Sequence, residues 1–132
     1  MTETERMKQG SIWEDDDENI ALQAKCKTLV RKFNELPPEA MEEREALLHD
    51  IFGEVGEHVW FLTVTVGKYV SIGSGTYANM NLTLIDDWKI TIGKNVLIGP
   101  NVTLCTTGHP IHPSHRMDGM YSFPITIGDN VW

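Results

Sequence analysis

From Val66 to Leu104 an aliphatic residue, usually followed by a small or polar one, returns every six positions. One phase runs Val66-Gly67, Ile72-Gly73, Ala78-Asn79 and Leu84-Ile85; Ile92-Gly93, Ile98-Gly99 and Leu104-Cys105 resume it two residues late. The period returns at Ile127-Gly128, and a second aliphatic often stands four places on, as Val70, Leu82, Val96, Val102 and Val131 do. A period of six is neither the 3.6 of a helix nor the two of a strand, so it predicts short strands joined by tight turns and wound into a parallel β-helix. Each corner is expected to point one aliphatic inward, with the following glycine relieving a turn that a Cβ would crowd. Stacking of coils buries the aliphatic column and pairs the backbone edges, which one coil alone cannot do. The handedness rule for parallel crossovers favours a right-handed coil.

Residues 1–57 precede the repeat and read as a helical segment, with 58–132 as the β-helix. Thr2 to Gly10 reads as a short helix with a glycine stop. Asn19 to Leu36 carries Ile20, Leu22, Leu29, Val30 and Phe33 on roughly one helical face. Pro37-Pro38 ends that helix and opens the next, Glu39 to Phe52, whose buried candidates are Met41, Ala46, Leu47, Leu48 and Ile51. Two such helices cannot form a core alone, so they are expected to lie across the open first coil as a cap. Val59 to Val66, rich in β-formers, is expected to enter that coil.

The net charge of −8 is unevenly spread: residues 1–57 hold 15 acids and 7 bases, whereas 58–132 hold 4 of each. No basic stripe is available to a phosphate backbone, so nucleic acid is not an expected partner. No apolar run approaches ~18 residues, so no membrane-spanning helix is expected, and the polar start lacks a signal-peptide core. The expected location is the cytoplasm. Cys26 and Cys105 make no disulfide framework and are expected to be free thiols.

Between Leu104 and Ile125 the period stops, leaving an inserted loop over 105–124 that carries His109, His112 and His115 at three-residue intervals. Insertions on one face of a solenoid are frequent binding sites. Three readings stand: a metal site, which needs converging imidazoles that Pro110 and Pro113 hinder; a structural loop; and a general base at His109, a residue held between Gly108 and Pro110. The acidic run Asp15-Asp16-Asp17-Glu18 reads either as a solvated loop favouring the next helix N-terminus or as a carboxylate beside Trp13 gripping a sugar hydroxyl. Asn79 reads equally as a turn residue or as a functional one. His49 and His58 read as surface or packing residues.

Thr107-Gly108-His109-Pro110, then Tyr121-Ser122-Phe123-Pro124-Ile125-Thr126-Ile127-Gly128, with Tyr77-Ala78-Asn79 and Asp86-Asp87 upstream, resemble the galactoside and maltose O-acetyltransferases. The front helices are similar to that family's N-terminal segment as well. The resemblance implies a left-handed β-helix, a homotrimer with its site at the subunit boundary, acetyl-CoA as co-substrate, a sugar acceptor and no metal. It puts the catalytic base on His109, the transition-state asparagine on Asn79, and acceptor contacts on Asp15, Asp87 and Thr65. His112 and His115 fall outside the matched catalytic position. The strand before the first Ile-Gly is about three residues shorter than the family pattern, which bears on Thr65. The sequence ends at Trp132 inside a hexapeptide, where the family continues. A truncated form, most of whose CoA-binding surface would lie further on, is therefore the expectation, with a non-catalytic assembly or sugar-binding module as the rival.

Overall fold

A computed structural model describes residues 1–61 and 68–132. The expectations resting on Thr65, on Val66-Gly67 and on the later part of Val59 to Val66 lie outside the described residues.

Helix α1 (Glu3–Lys8) starts from a reciprocal cap: the Thr2 hydroxyl accepts the Glu5 N–H at 3.1 Å while the Glu5 carboxylate accepts the Thr2 N–H at 2.7 Å. Helix α2 (Asp17–Glu35) is capped by Asp16, which accepts the Asn19 N–H at 2.9 Å. One acid of the acidic run thus serves the helix terminus. The buried stripe of α2 is Asn19, Cys26 and Phe33, with Leu22, Leu29 and Val30 half-buried. Ile20, expected inside, is 54% exposed because it lies one position off that stripe. In α3 (Met41–Ile51) Leu47, Leu48 and Ile51 are buried as expected, whereas Met41 and Ala46 face solvent. Arg44 of α3 ties these pieces together. Its guanidinium donates to the carbonyls of Phe33 and Leu36, at 3.2 and 3.0 Å, and to that of Phe61 at 2.9 Å. It also stacks 4.1 Å from the centre of the Phe33 ring. The orphan carbonyls at the α2 C-terminus are thereby satisfied by a neighbouring helix.

The coils begin earlier than Val59, because β1 (Glu54–Val55) already pairs in parallel with β3 (Val70–Ile72). β2 (Trp60–Phe61), β4 (Tyr77–Ala78) and β7 (Leu97–Ile98) form a second sheet, in that order. β5 (Thr83–Ile85) and β8 (Thr103–Cys105) form a third, while β6 (Ile90–Ile92) and β11 (Ile125–Ile127) extend the first. The register stacks Ile72 on Ile92, Ala78 on Ile98 and Leu84 on Leu104. All three pairs are twenty residues apart, so the two-residue delay read in the sequence is one longer corner, between Ile85 and Ile90.

Another corner is left-handed in every described coil: His58, Gly75, Asn95 and Asn130 follow the stacked residues at equal distance, with φ of 55°, 74°, 54° and 57°. Asparagine tolerates this region, which most residues avoid. Asn81 and Asn101 do the same at a further corner, where the Asn81 amide donates to Asn101 Oδ1 at 3.0 Å. Crowding explains the glycines that a following coil covers, and Gly99 and Gly128 follow edge strands. An added Cβ at Gly73 would come within 2.5–2.6 Å of the Gly93-Lys94 backbone, whereas at Gly99 and Gly128 it would meet nothing within 4 Å. One apolar core joins Phe33, Leu47, Leu48, Ile51 and Phe52 to the inward residues of the coils. Among the described residues no helix is long and apolar enough to cross a membrane.

Candidate active site

Two turns leave the β5–β8 sheet at the same end, since Ile85 and Cys105 are opposite each other in its register. Asp86-Asp87 follow one strand and Thr106 to His109 the other. Thr106, 5% exposed, clamps the two turns together: its hydroxyl donates to the Ile85 carbonyl at 2.9 Å and accepts the Trp88 N–H at 3.0 Å. The two aspartates differ in burial. Asp86 is buried and its carboxylate accepts the Tyr69 N–H at 2.7 Å. Asp87 is half-buried and lines a cavity of about 590 Å³ between α2 and the coils, which Asp86 borders too.

Asp15 lines the same cavity, so two of the expected acceptor contacts come together. The Gln23 amide donates to Asp15 Oδ1 at 3.1 Å and orients it from the next turn of α2. Asn19 and Tyr69 also line this space and were not anticipated from the sequence. Asn19 is 8% exposed, and its Nδ2 has no hydrogen-bond partner among the described residues. An orphan buried donor costs about 1–3 kcal/mol, so a ligand oxygen reaching it would recover that penalty. The readable signal was a polar residue on a stripe whose other members, Cys26 and Phe33, are apolar. Burial, helped by the carboxylates of Glu18 and Asp86, pushes the Tyr69 phenol above its ordinary pKa, so its hydroxyl keeps its proton.

The loop holding His109 is a hairpin excursion closed by β9 (Thr107–Gly108) and β10 (Tyr121–Ser122), which are antiparallel. His109 is exposed, and its Nδ1–H donates to the Gly119 carbonyl at 3.0 Å. That bond puts the ring proton on Nδ1 and leaves Nε2 with its lone pair. Trp13 docks on the far side of this loop. Its N–H donates to the Met120 carbonyl at 2.9 Å and its carbonyl accepts the Met120 N–H at 3.0 Å. Its indole N–H donates to Ser122 Oγ at 3.2 Å, which is 2.8 Å from Thr107 Oγ1.

The other two loop histidines look elsewhere. His112 Nδ1 is 2.7 Å from Ser114 Oγ, and His115 Nδ1 is 2.8 Å from Asp118 Oδ2. Among the described residues no three His, Cys, Asp or Glu side chains gather as metal ligands, and the three imidazoles do not converge. Asn79 follows β4 and so stands one corner before Asp87 and His109, across the β5–β8 sheet from them. Its Oδ1 accepts the Met80 N–H at 2.8 Å, which leaves Nδ2 as the donor end. Near it the outer face of the second sheet carries a column in register, Trp60, Tyr77 and Leu97, of which Trp60 is 47% and Leu97 51% exposed.

Residues 6–56 match the family model described as the maltose acetyltransferase hexapeptide capping motif. The chain is 47% identical over 137 aligned residues to the galactoside O-acetyltransferase of Escherichia coli (strain K12), covering 100% of this chain and 68% of that protein. Among solved structures, a galactoside acetyltransferase in complex with coenzyme A superimposes with a TM-score of 0.92 at 46% identity, covering 100% of this chain and 68% of that one. A hexapeptide-repeat acetyltransferase from Vibrio cholerae O1 biovar eltor, complexed with acetyl coenzyme A, gives a TM-score of 0.84 at 34% identity, with 100% and 74% covered.

Proposed function

We infer that this chain, which belongs to the galactoside and maltose O-acetyltransferase family, moves an acetyl group from acetyl-CoA to a sugar hydroxyl with His109 as the base. The observation that carries the reading is the Nδ1 bond to Gly119, which leaves Nε2 as a fixed acceptor at the end of the sheet where Asp87 also emerges. Nε2 takes the proton of the sugar hydroxyl as its oxygen attacks the thioester carbon. An oxyanion forms, to which Asn79 Nδ2 donates. Collapse breaks the carbon–sulfur bond, and the departing thiolate takes the proton back from Nε2. Asp15 and Asp87 bind the other acceptor hydroxyls, and Asn19 Nδ2 meets a sugar oxygen deeper in the cavity.

Asn79 and His109 are separated by a face of the β-helix, so one chain alone does not complete this site. A left-handed coil assembled as a homotrimer brings the Asn79 of one protomer to the His109 of the next, and the column of exposed Trp60, half-buried Tyr77 and exposed Leu97 supplies an apolar contact face. The helical segment that precedes β1 contributes Asp15 and Asn19, and the coils with their inserted loop contribute the catalytic pair.

Thiol release from acetyl-CoA in the presence of sugar acceptors tests the activity; none at any protein concentration would favour a non-catalytic sugar-binding module. Mixed oligomers refolded from inactive His109→Ala and Asn79→Ala chains are expected to regain activity, because some boundaries then carry both native residues. No recovery would place the pair within one protomer. Asp15→Asn is expected to raise the acceptor KM about tenfold and leave the acetyl-CoA KM within about twofold, since it removes a charged hydrogen bond to acceptor alone. The reverse pattern in steady-state kinetics would remove Asp15 from the acceptor site.

A further inference from the structure

We propose that the N-terminal segment at Ile12-Trp13 is part of the machinery that sets His109: Trp13 holds the Gly119–Met120 peptide in the one orientation that fixes the imidazole's tautomer. The inference rests on the reading of His109 as the base, and it assigns Trp13 and Gly119 as positioning residues.

The geometry turns on a single peptide group. In a trans peptide the N–H and C=O point in opposite directions. Here the Met120 N–H donates to the Trp13 carbonyl at 3.0 Å, while the Gly119 carbonyl on the same plane accepts from His109 Nδ1 at 3.0 Å. The plane cannot rotate without losing both bonds. Donation by the N–H also polarises the carbonyl towards the imidazole, so the two bonds strengthen each other. The return bond from the Trp13 N–H to the Met120 carbonyl, at 2.9 Å, closes the pair.

Trp13 is a firm anchor for this plane. It is 2% exposed, and its indole N–H reaches Ser122, also 2% exposed. The loop offers little else to hold the ring, because residues 111–118 are all exposed. Gly119 makes the close approach possible. Its φ is +132°, and an added Cβ would lie 2.6 Å from Ile12 Cγ2 and 2.9 Å from the Trp13 carbonyl oxygen. Any other residue would push the peptide off the N-terminal segment. Asp15 follows two residues after Trp13, so the acceptor's carboxylate and the base are referenced to one short piece of backbone. A displacement of about 1 Å between such groups can cost on the order of 10²-fold.

The test combines kinetics with ¹⁵N NMR of the histidine rings in the full chain. The wild type is expected to show His109 protonated on Nδ1 and bare on Nε2. Gly119→Ala is expected to give a mixture of tautomers, a fall in kcat of about 10- to 50-fold and an acceptor KM within about twofold of wild type. Trp13→Phe keeps the ring packing and the backbone pair while losing the indole N–H, and is expected to cost about two- to fivefold in kcat. Should Gly119→Ala fail to fold, the double variant Ile12→Ala with Gly119→Ala removes the side-chain clash and leaves the one with the Trp13 carbonyl. A wild-type tautomer in the folded glycine variant, or a lost tautomer with unchanged kcat, would overturn the proposal. Absence of any acetyl transfer would refute the base reading instead, and the tautomer measurement would still decide what the N-terminal segment does to His109.

Discussion

Replacing His109 with alanine is expected to lower kcat by about 10²- to 10⁴-fold, the usual worth of a positioned general base, with a smaller change in acceptor KM. The split follows from where the ring sits. His109 is absent from the residues lining the cavity that holds Asp15, Asp87 and Asn19, so the acceptor contacts proposed there are expected to survive its removal. What is lost is the lone pair on Nε2 that the Gly119 bond keeps available. His112→Ala and His115→Ala serve as controls. Each of those rings is engaged locally, with Ser114 and with Asp118, and each variant is expected to keep kcat within about threefold of wild type. Equal losses at all three positions in a thiol-release assay would defeat the base assignment and point to a site in which the three imidazoles act together.

Gly73→Ala is expected to destabilise the fold by about 3 kcal/mol, at the upper end of overpacking costs. The new Cβ would stand 2.5 Å from the Gly93 carbonyl carbon and 2.6 Å from the Lys94 nitrogen, which are backbone atoms of the next coil. Those atoms cannot step aside alone. The Gly73 N–H donates to the Ile92 carbonyl at 2.8 Å, and β3 and β6 are locked in register from Val70↔Ile90 to Ile72↔Ile92. Relief must therefore lift one coil off the other and open the column of Ile72 and Ile92, both nearly fully buried. Gly99→Ala in the same 132-residue chain is the control, since Gly99 follows β7, the edge strand of its sheet, where its Cβ meets nothing within 4 Å, and it is expected to stay within about 0.5 kcal/mol of wild type. Urea unfolding measures both: the midpoint should drop for the first at constant m and barely move for the second. Equal midpoints would show that the coils slide apart at little cost.

The coils were legible because a six-residue period is a local property: each inward aliphatic is marked by its own neighbours, and Ile72, Ala78, Leu84, Ile92 and Ile98 all stack where the period put them. The helices were legible for a similar reason. Pro37-Pro38 and the Thr2 and Asp16 caps act within a few residues of themselves. The buried face of α2 was less so. Ile20 is apolar yet exposed and Asn19 is polar yet buried, because the choice of face was made by the coils packed against it.

The sequence by itself determined the repeating architecture and the charge division between its two halves, and a motif resemblance, not spacing, singled out His109 and Asp15 as candidates. These follow from spacing, composition and motif, which a chain carries before it folds. Only the tertiary structure decided which groups meet. It gave Asp86 a backbone N–H to hold and set both Asp86 and Asp87 along the cavity. It brought Asn19 to that cavity with an unpaired donor, and it set Trp13 against Met120 across more than a hundred residues of chain. Long-range pairs of this kind depend on how many residues the intervening coils and corners consume. One longer corner between Ile85 and Ile90 is enough to place Asp87 beside the turn that leads to His109.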